Sequence, residues 1–339
     1  LLVQKAVIHI GSGKTGSTAI QRALFEASRN GGLGDFYYPT VNGWHHRDIY
    51  ILFKKKEASA RNLKSRIRAG KIDYDRYRKA YDAEFSPPRL AGKNLILSSE
   101  YLFDLPSEQV RALKQRLDDS GVRDYLVVAY VRHPASYYLS YVQQRLKASH
   151  VIPDPCSFRY PLKKVLDAWA GVFGQLIVRE YDQLMSRGGD AVRDFGETIA
   201  NAGFGHLILQ ARTANPSLGA EAMLLMQEYR RLFHADEDNV FLPDSDRFLQ
   251  QLEKIHVKAT VPRLNRRVWQ LISSKHQSDI EYLTKHYGLF ADQEDEVVDA
   301  SESASDFVRP LKVTDVVDGL EEDRVQEFAL NVIRKLLRE

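Results

Sequence analysis

The sequence predicts an α/β fold: a central parallel β-sheet flanked by helices, followed by a largely helical C-terminal part. Three observations predict it. Four apolar runs, at about residues 5–10, 93–98, 124–131 and 175–180, show little polar alternation, as strands buried on both faces do. The segments between them carry apolar residues at helical spacing. Polar chemistry sits just past the runs, with Lys14 after the first, Glu100 after the second and Arg132 after the third. That is the end at which open parallel sheets bind ligands.

The first run, Ala6-Val7-Ile8-His9-Ile10, feeds Gly11-Ser12-Gly13-Lys14-Thr15-Gly16-Ser17-Thr18 and then a helix with Ile20, Leu24 and Ala27 on one face. Glycines let backbone close around a phosphate, and amides at a helix start attract an anion with help from the helix dipole. Lys14 adds a point charge, and Ser17 and Thr18 add donors. The spacing argues against the nucleotide-triphosphate motif, which needs a glycine six positions before the lysine. That position is Ile8.

Gly31-Gly32-Leu33-Gly34 breaks the chain, and Phe36-Tyr37-Tyr38 reads as a short extended piece. Trp44-His45-His46-Arg47-Asp48 opens a helical segment. Two adjacent histidines point opposite ways, so at most one faces a site, and His46 is the candidate. Residues 54–79 are strongly basic, including Lys64, Arg66 and Arg68. They form either a solvated face or a patch that draws in an anion. No nucleic-acid motif accompanies them.

The second run, from Lys93, ends at Glu100, placed either for chemistry or as a loop acid or helix cap. A helix is expected from about Ser107 to Asp119, on Val110, Leu113 and Leu117. The third run, Tyr125 to Val131, leads straight into Arg132-His133-Pro134 and a helix carrying Ser140, eight residues after the arginine. An arginine at a strand end is poised for a bidentate phosphate contact. The fourth run ends near Arg179, which either reaches the site or pairs with a nearby acid. The stretch from Arg212 to Gly219 is a polar loop before a long helix, and Asn215 or Ser217 can cap that helix. The remainder reads as helical, with breaks near Pro243 and Pro262. An acidic loop is expected at 292–302, and a closing amphipathic helix over 320–337 carries Val325, Phe328, Val332 and Leu336.

The loop Lys14-Thr15-Gly16-Ser17-Thr18 and the pair Arg132 and Ser140 together resemble sulfotransferases of the P-loop-like superfamily, close to bacterial carbohydrate sulfotransferases. Those enzymes use PAPS (3'-phosphoadenosine 5'-phosphosulfate). Arg132, Pro134 and Ser140 match, His133 replaces the usual aspartate, and the matched motifs cover only the first half of the chain. The resemblance implies sulfuryl transfer from PAPS to a hydroxyl or amine of a small-molecule or glycan acceptor, with a saccharide as the expected class and an anionic acceptor left open. It implies that Gly13, Lys14, Thr15, Gly16, Ser17 and Thr18 hold the 5'-phosphosulfate, while Arg132 and Ser140 hold the 3'-phosphate. A loop bearing Arg212, Asn215 and Ser217 would close over the nucleotide. Glu100 is the expected base, His46 the reserve, and Lys14 the cation that stabilises the leaving phosphate. No metal is implied. Two readings stay open beside it: an ATP-dependent kinase using Lys14, Thr15 and Glu100, and a non-catalytic nucleotide-binding module.

Length and composition fit this picture. The 339 residues are 44% hydrophobic and 27% charged, with a net charge of +3, which is ordinary for a globular protein. One domain spanning 1–339 is expected, with core strands over 5–180 and a helical region over 216–339. Cys156 is the single cysteine, which excludes an intrachain disulfide and a cysteine-built metal site. With no signal-like stretch before the first strand and no apolar run of membrane-spanning length, a cytoplasmic location is expected.

Overall fold

A computed structural model describes residues 4–41, 43–54, 61–210, 218–255, 259–291 and 310–337. In chain order the elements are β1 (Gln4–Gly11), α1 (Ser17–Arg29), β2 (Phe36–Tyr37), α2 (Arg61–Arg68), α3 (Tyr74–Glu84), α4 (Pro87–Leu90), β3 (Asn94–Ser98), α5 (Ser107–Asp119) and β4 (Val122–Val131). There follow α6 (Pro134–Leu146), α7 (Leu162–Phe173), β5 (Leu176–Glu180), α8 (Tyr181–Ser186), α9 (Ala191–Asn201), α10 (Ala220–Phe233) and α11 (Pro243–Glu253). The chain ends with β6 (Arg263–Leu264), α12 (Arg266–Lys275), α13 (Gln277–Tyr287), α14 (Val313–Val316), β7 (Val317–Asp318) and α15 (Glu322–Leu336).

The elements cluster into two compact units. One comprises Leu1–Arg132 with Pro161–Thr213, and the other His133–Tyr160 with Ala214–Glu339. The first holds a five-stranded parallel sheet in the order β2-β3-β1-β4-β5. The four strands expected from the apolar runs are its core. The extended piece at Phe36 joins as an edge strand, pairing with Asn94 and Leu95. β1 is central, with Ile8 beside Leu97 on one side and Val127 on the other. Every β1 residue from Ala6 to Gly11 is buried.

Helices cover both faces of this sheet. Ile20, Ala23 and Leu24 of α1 pack with Val192, Phe195 and Ile199 of α9 over Val7, Ile96, Leu126 and Val128. The α5 helix occupies the predicted span, buries Val110, Leu113 and Leu117, and packs with α7 against β4. With both faces dry, alternation has no role, which is why the strands read as continuous apolar runs.

In the second unit, α6 packs with α10 and α12, burying Tyr138, Val142, Leu146, Met223, Met226, Val268 and Ile272. Arg230 is fully buried, donating to Ser245 Oγ at 3.0 Å and to the Ala148 and Glu237 carbonyls, each at 2.8 Å. Two buried hydrophobic side chains, Phe328 and Val332, hold α15, whereas Leu336 is exposed. The apolar stripe expected there is therefore narrower than four residues. The 292–302 segment lies outside the described residues, and among the described residues no helix is long and apolar enough to cross a membrane.

Candidate active site

The site of the first unit is assembled where β1, β3, β4 and β5 end. The chain leaves β1 in a tight loop whose start is tied to β4, Ser12 N donating to Tyr130 O at 3.0 Å. Thr15 Oγ1 turns inward and donates to Ser12 O at 2.6 Å. Gly11 is required by this packing, since a Cβ there would lie 2.2 Å from Ser17 Oγ. Lys14 has φ 66° and Gly16 φ 77°, two left-handed residues within one turn. Glycine adopts this conformation freely, but a lysine there is strained, and such strain concentrates at functional sites. The Lys14 side chain is exposed, as is Thr18.

Nothing in α1 competes for an anion at its start. No side chain caps that end and no acid lies in its first turn. The hydroxyls of Ser12 and Ser17 are buried without a hydrogen-bond partner. Orphaned hydroxyls, left-handed backbone and an uncapped helix start fit a bound phosphate.

β3 delivers Ser98, Ser99 and Glu100 beside this loop, and Ser99 N donates to His9 O at 3.1 Å. Two buried histidines brace the strand end. His9 Nδ1 lies 2.7 Å from Ser98 Oγ, while Ser98 N donates to His46 Nδ1 at 3.1 Å. His46 Nε2 donates to Pro39 O at 2.7 Å, and the ring stacks on Tyr38 at 4.2 Å. Both nitrogens of His46 are thus engaged by backbone, leaving no lone pair for proton transfer. Of the two adjacent histidines, His45 lines the cleft and His46, the expected reserve base, points inward.

Burial holds both rings neutral, His9 down to about 3 and His46 to about 4, with the Pro39 hydrogen bond partly opposing the latter shift. A depressed folded-state pKa gives stability that is complete above the unfolded value of 6.5 and lost as pH falls through the folded value. Each histidine should therefore remove about 1.4 kcal/mol per pH unit below 6.5. Denaturant titrations are expected to show midpoints falling from pH 6.5 to 4.5. A flat midpoint would mean that neither ring is held neutral.

Glu100 begins a short 3-10 turn, Glu100–Leu102, that Ser99 caps by accepting from Tyr101 N at 3.3 Å. Part of Glu100 is exposed, yet surrounding protein desolvates its carboxyl and raises its pKa, with Arg47 and Lys14 opposing the rise. Glu100 therefore shares one electrostatic neighbourhood with the loop lysine. It lines a cleft of about 250 Å³ with Thr18, Gln21, Trp44, Arg47 and Tyr101. Arg47 was not singled out in the sequence. Its Nη2 lies 2.9 Å from His45 Nε2, and its Nε is buried without a partner. It follows no apolar run, so only its place beside Glu100 reveals it.

On the other side of β1, Arg132 closes β4. Its Nε and Nη2 lie 2.8 and 2.6 Å from Asp182 Oδ1, and its guanidinium lies 5.5 Å over the Tyr181 ring. Tyr181 also crowds Gly16, where a Cβ would meet the ring at 3.1 Å. The loop, Tyr181 and Arg132 are thus in sequential contact. Arg179 pairs with Asp194, donating from Nε at 3.0 Å, and Asp194 also accepts from Tyr130 OH at 2.6 Å. The alternative of a strand-end arginine paired with an acid therefore describes Arg179.

Ser140 belongs to the second unit, buried on α6 at 6% exposure. There the ring of His133, the residue standing where aspartate was expected, stacks on Trp269 at 4.8 Å. It caps α6 through Ala135 N at 3.3 Å. Arg212, Asn215 and Ser217 lie outside the described residues. In the basic segment, Arg66 is bound to the buried Asp48 at 2.9 Å, a structural pairing, while Lys71 and Lys79 are exposed. No family model matches the chain, and no curated protein matches it in sequence.

Proposed function

We propose that the protein is a sulfotransferase with a P-loop-like fold, moving a sulfuryl group from PAPS to a hydroxyl or amine acceptor. The observation that carries this reading is the loop after β1, with two buried hydroxyls left without partners before an uncapped helix start, set beside Glu100 in the cleft that Thr18 also lines. The loop amides, Lys14 and Ser17 would hold the 5'-phosphosulfate, and Arg132, oriented by Asp182, would take the 3'-phosphate. PAPS supplies an activated sulfuryl group on a phosphate leaving group. Glu100 takes the acceptor's proton, and burial moves it toward the pKa that a base needs near neutrality. Lys14 meets the charge that grows on the departing phosphate. The cleft beside Glu100 holds the acceptor close and oriented.

Nucleotide-induced stabilisation tests the reading. PAP, the desulfated nucleotide, at a hundred times its dissociation constant should stabilise the fold by about 2.7 kcal/mol without magnesium. ATP with magnesium should not. Arg132→Ala should weaken PAP by about 1.5–3 kcal/mol while sparing adenosine 5'-phosphosulfate, which lacks the 3'-phosphate. Stabilisation by magnesium–ATP alone would favour the kinase reading.

A further inference from the structure

Beneath the loop after β1 lies a buried polar cluster that the reaction above does not use. His9, on β1, is fully buried, with Tyr130 and Phe195 against its ring at 5.5 and 5.3 Å between centroids. Its Nδ1 lies 2.7 Å from Ser98 Oγ, whereas its Nε2 is buried without a hydrogen-bond partner. The position that a Cβ on Gly11 would take shows what that nitrogen faces. It lies 3.3 Å from His9 Nε2, 2.7 Å from Thr15 Oγ1 and 2.2 Å from Ser17 Oγ. Ser17 Oγ is likewise buried without a partner. Two unpaired polar atoms therefore flank one point under the loop, and buried polar groups are rarely left so.

The hydrogen bonds around the ring assign its tautomer. Burial takes the His9 pKa down to about 3, so the ring is neutral, with one nitrogen a donor and the other an acceptor. Among the described residues, His9 Nδ1 is the group placed to accept the Ser98 hydroxyl proton. That donation leaves the imidazole proton on Nε2, directed at the loop. The opposite tautomer would strand both the Ser98 proton and the Nε2 lone pair. On the loop side, Thr15 Oγ1 commits its proton to Ser12 O at 2.6 Å, whereas the Ser17 hydroxyl has no bond to break in turning.

Resting on the reading that this loop holds the 5'-phosphosulfate, we propose that His9 is a positioning residue for the anion. Its Nε2–H donates to Ser17 Oγ, which turns the Ser17 proton toward an anion oxygen at the start of α1. A hydroxyl that accepts one hydrogen bond donates the next more strongly. The relay from Ser98 through His9 to Ser17 also ties the loop to β3, the strand that leads to Glu100.

Calorimetric titration with PAP across a double-mutant cycle tests this. His9→Phe and Ser17→Ala should each weaken PAP about 10-fold, the worth of one hydrogen bond. The double variant should also lose about 10-fold, and not about 100-fold, because both substitutions break the same relay. His9→Gln, whose side-chain amide can place a donor near the Nε2 position, should recover most of the affinity. A histidine that only fills the core behaves differently. His9→Phe would then lower the unfolding midpoint, and PAP affinity would be unchanged, or weakened equally with and without the Ser17 hydroxyl. Either result overturns the proposal. Nitrogen NMR of the imidazoles reads the relay in protein that keeps His9, so it decides alone should His9→Phe fail to fold. The His9 proton should sit on Nε2, and PAP should shift that resonance in the parent but not in Ser17→Ala. A proton on Nδ1, or a shift that survives in Ser17→Ala, overturns the relay. If the parent does not bind PAP, the sulfuryl-transfer reading falls, and inorganic pyrophosphate replaces PAP in the same cycle. Non-additive losses there sustain the relay, and additive losses or no binding overturn it.

Discussion

Glu100→Gln is expected to lower turnover by about 10²–10⁴ while leaving PAP affinity unchanged, since glutamine keeps the shape but cannot take a proton. The pH profile carries a second signature. Burial raises the Glu100 pKa above the ordinary glutamate value, so the base is lost as pH falls through an elevated value. The acid limb of kcat/KM should therefore lie above the ordinary glutamate value and vanish in the variant. Stability should move the opposite way to activity. A carboxyl whose folded pKa is raised binds protons more tightly in the fold, so its presence costs stability as pH rises above the unfolded value. At pH 7 the glutamine variant should be at least as stable as the parent. Near-normal turnover of Glu100→Gln would sink the assignment. His46 is not a substitute base, because Pro39 and Ser98 engage both of its nitrogens.

Lys14→Ala is expected to lower turnover by about 10²–10³, the usual cost of removing a group aimed at developing charge. Between Gly11 and Ser17, Lys14 is the single charged residue. Lys14→Arg should restore only part of the rate, since a planar guanidinium does not reproduce a compact ammonium at a tight turn. Lys14→Gly separates function from folding. With φ at 66°, glycine relieves backbone strain that lysine bears. That variant should unfold at a denaturant concentration no lower than the parent's while losing turnover as alanine does. If Lys14→Gly keeps the parent rate, the lysine has no part in the chemistry.

The four long core strands were legible because a strand buried on both faces leaves a local trace, an unbroken apolar run such as Tyr125 to Val131. The α5 helix was legible for a similar reason, its buried residues recurring at helical spacing. The loop at Lys14 was legible because left-handed backbone demands glycine nearby, and helix-start hydroxyls are rarely accidental in number. Each of these signals is contained within about ten residues.

What the sequence determined by itself was therefore the four core strands of the parallel sheet, the glycine- and hydroxyl-rich turn after the first and the strand-end positions of Glu100 and Arg132. Tertiary structure decided the rest. It placed β1 at the centre of the sheet, so that residues far apart in the chain, Lys14, Glu100 and Arg132, belong to one sheet end. It brought Arg47 against Glu100 and turned His46, not His45, into the core. It also divided the chain immediately after Arg132, grouping α6 with the C-terminal helices instead of the sheet. These outcomes depend on which distant surfaces bury one another, and no local periodicity encodes that. A histidine beside a histidine looks the same from either side until Tyr38, Pro39 and Ser98 close around one of them.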